Sequence, residues 1–297
     1  MKSSRRVPPA DRRRRGSRVS VLVLPLLGAI VLAVVSVVAT ARAQAPGPKY
    51  PEMRGQWTRM DSAQFDPSKP GGLAQNIPYT PEYQALFEEI QADRGKGGLE
   101  NNTTASCLPS GMPRTMIVYE TMETIITPDT TYIRSSYMNE LRRIFTDGRG
   151  WPAGMVPTFM GYSIGQWIDE DHDGTYDVLE VETRGLKGRR TFDGAGAPLD
   201  KDNQTIVKER IYLDKTDPDI LHDDITTMDH ALTRPWTVMR KYQREHQPFW
   251  SEYVCEEGNQ QVIVGKENYF ISSDGYLMPT KKDQPPPDLK YFKDSQK

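Results

Sequence analysis

The chain has 297 residues, with 38 basic and 40 acidic side chains and two cysteines. Residues 1–43 hold nine of the basic residues and one acidic residue, so the other 254 carry 29 against 39, a net charge of −10. A surface of that sign repels phosphate backbones and argues against nucleic acid as a partner, and 254 residues suffice to bury a sizeable core.

The first segment is basic (Arg5, Arg6, Arg12 and onward). It continues as an apolar run over 19–39 and ends in Ala41-Arg42-Ala43. That order is a secretory signal's, which predicts cleavage after Ala43 and a periplasmic or secreted protein. The arginine pairs lack the context of a twin-arginine signal, so Sec export is expected. An uncleaved anchor is the alternative, because about 20 apolar residues also span a bilayer. Membrane contact is then confined to this segment.

Residues 44–114 read as an extended arm, anchored by Trp57 and Phe65, with one short helix over 80–94. Thr80 is its cap and Pro81 its first residue, while Tyr83, Leu86, Phe87 and Ile90 share a face and Gly95, Gly97 and Gly98 end it. Cys107 and Cys255 are an even pair in an export context, so a disulfide is expected, with two buried thiols as the alternative.

From 115 to 265 the chain reads as an antiparallel β domain. Runs rich in Thr, Val, Ile and Tyr fall at 115–126, 131–146, 162–168, 176–184, 205–214, 221–229 and 236–244, separated by turn signals such as Asp147-Gly148 and Asp217-Pro218. No helical period intervenes, so neighbouring strands are expected to pair as a meander. Closure into a lipocalin-like barrel removes the exposed edges, and a β-sandwich is the alternative. Residues 266–297 read as an extension and tail.

Residues 169–180 place Asp169, Asp171, Asp173 and Asp177 at alternate positions around Gly174. Hard Ca²⁺ takes oxygens from such carboxylates and from a backbone carbonyl, here that of Thr175. The flanks are β sequence, so this is a hairpin loop and not an EF-hand. It resembles the calcium loops of FG-GAP and related propeller repeats, present here in one copy. The resemblance implies Asp169, Asp171, Asp173, Thr175 and Asp177 as ligands of a structural Ca²⁺. A solvated acidic tip without an ion is the alternative.

Three segments suggest chemistry. The sequence GYSIG at 161–165 matches a nucleophile elbow formally, but no helix follows Ser163, which reads as a strand start. On an extended 221–230, His222, Asp224, Thr226, Met228 and His230 share one face and Asp223, Ile225, Thr227 and Asp229 the other. The first face makes His222 and Asp224 candidate acid or base groups. Charges at Glu140 and Arg142 interrupt a β-like run, and Glu209 and Arg240 are their candidate partners in a polar network inside a cavity. Trp236 is a candidate pocket wall, and surface pairing across strands is the bland alternative for the charges.

The segments CLPSGMPR at 107–114, RRIFTDGR at 142–149, GYSIGQW at 161–167 and TRPWTV at 233–238 together resemble a broad group of exported, β-rich bacterial proteins. The resemblance implies export and the β domain but no activity. The GQW triplets at 55–57 and 165–167 are similar to the lipocalin Gly-x-Trp signature. The leading expectation is an exported β-barrel that binds a small, largely apolar molecule, with Ca²⁺ bracing one hairpin. The alternatives are an isomerase or hydrolase using His222, Asp224 or Glu140 in the same cavity, and an envelope interaction protein.

Overall fold

Side-chain alternation over nine strands closes a barrel in the computed structural model of the chain. The structure describes residues 49–60, 77–98, 102–118, 120–188, 190–258, 260–265 and 267–287. Residues 1–43, expected to be an export signal, Phe65 and the end of the tail lie outside the described residues. The barrel strands are β1 (Gly55–Arg59), β2 (Met122–Ile126), β3 (Thr130–Ser135), β4 (Leu141–Phe145), β5 (Tyr162–Ile168), β6 (Val178–Arg184), β7 (Ile206–Leu213), β8 (Ile220–Met228) and β9 (Trp236–Arg244). Strand β1 pairs with both β2 and β9 and completes the ring.

The closed barrel matches the expectation, with three differences in detail. Strand β1 lies inside the segment read as an arm: Trp57 is fully buried, and its indole N–H donates to the Met53 carbonyl at 2.9 Å. The long run 131–146 is a hairpin, because Met138 and Asn139 take left-handed backbone angles (φ 57° and 50°) that break an extended strand. Strands β4 and β5 are parallel, through Ile144 opposite Ser163 and Phe145 opposite Ile164, so the barrel is mixed and not a pure meander. A connection over 146–161 is long enough to bring the chain back in the same direction, as parallel pairing requires.

Among the described residues the one long helix, α1 (Pro81–Gly95), follows β1 and is capped by Thr80, whose hydroxyl accepts from the Tyr83 N–H. Phe87 and Ile90 are buried, and Tyr79 packs on Phe87 at 5.6 Å. Leu86, expected on the same face, is 36% exposed, so the buried stripe is narrower than the spacing suggested. Among the described residues no helix is long and apolar enough to cross a membrane.

Inside the barrel, three rows of side chains run across β5 to β9. Ser163, Thr183, Val207, Thr227 and Trp236 form the first, and Gly165, Val181, Glu209, Ile225 and Val238 the second. Trp167, Leu179, Ile211, Asp223 and Arg240 form the third. Gly165 is required where β5 crosses close to β4, since a Cβ there would meet Ile144 Cγ2 at 2.6 Å. Residues 102–118 add Met112, Met116 and Ile117 to the same core.

The C-terminal part forms a separate three-stranded antiparallel sheet from β10 (Gln261–Val264), β11 (Glu267–Ile271) and β12 (Leu277–Pro279). It is preceded by the helical turn α2 (Cys255–Gly258), where Cys255 bonds to Cys107. The expected disulfide is therefore formed.

Candidate functional site

Four charged side chains of the barrel interior are almost wholly withdrawn from solvent: Arg142, Glu209, Asp223 and Arg240. Arg142 on β4 reaches across to Glu209 on β7 with both guanidinium arms, one at 2.8 Å. It also donates to Thr183 Oγ1 at 3.0 Å. The fork geometry of Arg suits a bidentate carboxylate, and the hydroxyl takes a further donor. Asp223 lies opposite Arg240 in the register. Burial and the Glu209 carboxylate push the Asp223 carboxyl well above its ordinary range, against the pull of Arg142 and Arg240.

The structure unites Arg142 with Glu209, and it places Arg240 beside Asp223. It does not unite the three candidate acid or base groups. His222 is on the outer face of β8, stacked on Tyr212 at 5.0 Å with its Nε2 2.9 Å from Asp214 Oδ2. Hydrogen bonds from Thr216, then His222, hold the Asp214 carboxyl well below its usual range. Asp224 is also outward, 3.4 Å from the Tyr212 hydroxyl. Glu140 is buried elsewhere, accepting from the Ser110 and Gly111 N–H groups and from Thr115 Oγ1 at 2.7 Å. Ser163 shares a hydrogen bond with Thr183 Oγ1 at 2.8 Å, as a strand residue of the polar network. Trp236 packs on Phe192 with ring centroids 4.4 Å apart, in the core and not on a pocket wall.

Sequence reasoning chose the wrong face of β8. Leu221 and Ile225 alternate with the His222 face and mark the inward one, which carries Asp223. Asp223 therefore falls outside the expected site, although its apolar partners are a usable signal.

Space for a ligand is distributed unequally. The interior cavity between Met53, Met116, Met122, Trp167, Asp223 and Tyr242 holds about 10 Å³, enough for one water-sized group. A trough on the outer face of β5 to β8 encloses about 1450 Å³. Two outward rows make its floor: Ile164, Glu182, Lys208 and Thr226, and Gln166, Glu180, Arg210 and Asp224. Lys208 pairs with Glu182 at 3.4 Å, and Arg210 joins Glu180 to Glu170, the latter at 2.7 Å. Tyr50 lies 5.4 Å from both Trp167 and Tyr176 among the lining aromatics. Trp151, also lining, packs on Tyr162 at 6.1 Å under the Arg184 guanidinium at 4.6 Å.

The acidic hairpin joins β5 to β6 beside that trough, through Tyr176 and the Glu170–Arg210 pair. One carboxylate oxygen each from Asp169, Asp171 and Asp173 lies within 4.8 Å of the others. Their remaining capacity folds the loop: Asp169 Oδ2 accepts from the Gly174 N–H at 3.0 Å and Asp173 Oδ1 from the Thr175 N–H at 2.7 Å. Gly174 has φ +87°, open to glycine at no steric cost. Asp177 Oδ2 accepts from the Glu170 N–H at 2.7 Å, and Glu180 is turned toward Arg210. Three converging carboxylates with a backbone carbonyl nearby in sequence fit a hard cation. Asp200, Asp202 and His230 converge similarly, and the bond to Asp202 raises the His230 pKa.

No protein-family model matches the chain, and no curated protein matches it.

Proposed function

We propose that the chain is an exported binding protein that takes its ligand in the outer trough, with Ca²⁺ bracing the acidic hairpin at the rim. The carrying observation is capacity: about 1450 Å³ outside the barrel against about 10 Å³ inside. Small-molecule sites run to roughly 300–1,000 Å³, so a ligand of ordinary size is accommodated outside. Glu140 is buried apart from His222 and Asp224, and those two both touch Tyr212 but share no hydrogen bond among the described residues, which favours binding over catalysis. Export is supported by the signal-like residues 1–43 and by the Cys107–Cys255 bridge, a bond that persists in oxidising compartments.

The lining narrows the ligand class. Aromatic faces at Tyr50, Tyr176 and Trp151 accompany a floor of paired charges and hydroxyls. That suits an elongated molecule with flat apolar faces and many hydroxyl or amide groups, such as an oligosaccharide, more than the small, largely apolar molecule expected from the sequence. Stacking on each aromatic contributes on the order of 1 kcal/mol. Ca²⁺ would neutralise Asp169, Asp171 and Asp173 and fix Tyr176, two residues beyond Gly174.

Titration calorimetry of the mature protein against an oligosaccharide library tests the reading. At least one member should bind, and Trp151→Ala should weaken it about tenfold, roughly one stacking contact, with Tm unchanged. A library without a binder, or a binder indifferent to Trp151→Ala, sinks it.

A further inference from the structure

Three residues that line the interior cavity carry four polar atoms with no hydrogen-bond partner among the described residues: both carboxylate oxygens of Asp223, the Thr131 hydroxyl and the Trp167 indole nitrogen. Asp223 and Thr131 are 0% and 1% exposed, so water outside the barrel does not serve them. Orphaned buried polar groups number only a few per hundred residues in folded proteins, so four at one small cavity form a pattern. The rest of the wall is mostly apolar, with Met53, Met116 and Met122 beside Ile133, Leu179 and Ile211; Thr124 and Tyr242 add hydroxyls, that of Tyr242 bonded to the Met116 carbonyl.

We propose that this end of the barrel is a closed chamber for the hydroxyl group of a small apolar alcohol or phenol, admitted past Trp167. The chemistry of the orphaned atoms selects the group. An indole N–H only donates, so its partner must accept. Protonated or not, Asp223 keeps an accepting oxygen, so its partner must donate, and the Thr131 hydroxyl does either. One hydroxyl, with one proton to give and two lone pairs to receive on, can partner Trp167, Thr131 and one Asp223 oxygen. An ammonium cannot accept from Trp167, and a group that only accepts leaves the accepting oxygen of Asp223 unserved.

The chamber as packed admits one water-sized group, and a water and an alcohol share the recognising chemistry. Room for the body of an alcohol comes from the three methionines, whose unbranched side chains refill irregular space readily. The route is a partition one side chain thick: Trp167 lines both the chamber and the outer trough. Its ring meets Tyr50 edge-on at 5.4 Å. Tyr50 and Met53 belong to residues 49–54, a strap outside any strand, tied to the hairpin by the Tyr176 N–H to Lys49 carbonyl bond. Displacing the Trp167 ring and this strap joins chamber to trough. The chamber does not depend on which ligand the trough takes.

The test follows the indole N–H signals of the full chain by ¹⁵N NMR, with Trp167→Phe assigning one of the five tryptophans. Without additive, Trp167 should show cross-relaxation to a long-lived water. Phenol should shift its signal saturably and abolish that cross-peak, whereas benzene, equal in shape without the hydroxyl, should not. Asp223→Asn and Thr131→Val should each weaken phenol at least tenfold; two variants are used so that one misfolding leaves the other informative. A water cross-peak that persists at saturating phenol makes the site a structural water only and overturns the proposal. Equal shifts from benzene overturn it too, as an apolar void without hydroxyl recognition.

Discussion

Arg142 and Glu209 meet with 1% and 0% of their side chains exposed, so neither charge can fall back on solvent if the other is lost. Removing one partner of a buried ion pair typically costs about 3–5 kcal/mol, whereas replacing both with apolar groups of similar volume is often near neutral. Arg142→Met and Glu209→Leu should each lower the unfolding free energy by about that amount in urea, and the double variant should recover most of the loss. Additive single effects would show that the two groups do not act as a pair. Asp223 carries a pH signature. Its folded pKa lies above the unfolded one, near 3.9, so between those values the folded chain holds the extra proton and stability falls as pH rises. Asp223→Asn should flatten the fall of urea midpoints as pH rises above about 4, and an unchanged slope would place the titration elsewhere. How β8 was misread is instructive at this scale. His222 draws attention because its chemistry is versatile, yet Leu221 and Ile225 settle which face is inward, since a closed barrel buries its apolar side.

At the scale of elements, alternation made β5 to β9 legible within one or two residues, because a strand with one buried face must repeat every second residue. It failed where backbone angles or long-range pairing decide. The break at Met138 and Asn139 needs left-handed residues that no alternation reports, and β1 earns its place only by pairing with β2 and β9, far along the chain. The acidic hairpin was legible because its carboxylates are local: Asp169, Asp171 and Asp173 converge within a single turn. If Ca²⁺ fills that turn, folding and binding are linked, and metal at 100 times its Kd adds about 2.7 kcal/mol. Chelation should therefore lower Tm reversibly, and Asp171→Ala should remove the difference between calcium-loaded and chelated protein. A Tm indifferent to chelator would leave the hairpin a solvated acidic tip.

Across the whole molecule, the Cys107–Cys255 bridge joins segments 148 residues apart and encloses β2 to β9 in one covalent loop. A cross-link of that span removes chain entropy from the unfolded state worth on the order of 5 kcal/mol. Local contacts at the junction support it: the Tyr137 hydroxyl donates to Thr104 Oγ1 at 2.8 Å, and Tyr137 packs on Tyr253 at 5.5 Å. At about 2–4 °C per kcal/mol for a chain of this size, replacing both cysteines with serine should lower Tm by roughly 10–20 °C. Tm alone conflates two effects, since loss of the bridge also frees the β10 to β12 sheet from its tether beside residues 103–106. Hydrogen exchange separates them. Loss of unfolded-state constraint raises exchange evenly through β5 to β9, because those amides exchange by global opening, whereas undocking raises it only over 255–279. An even rise is expected, since the barrel closes through β1, β2 and β9 without any C-terminal strand. A rise confined to 255–279 would mean that the bridge serves only to hold the small sheet in place.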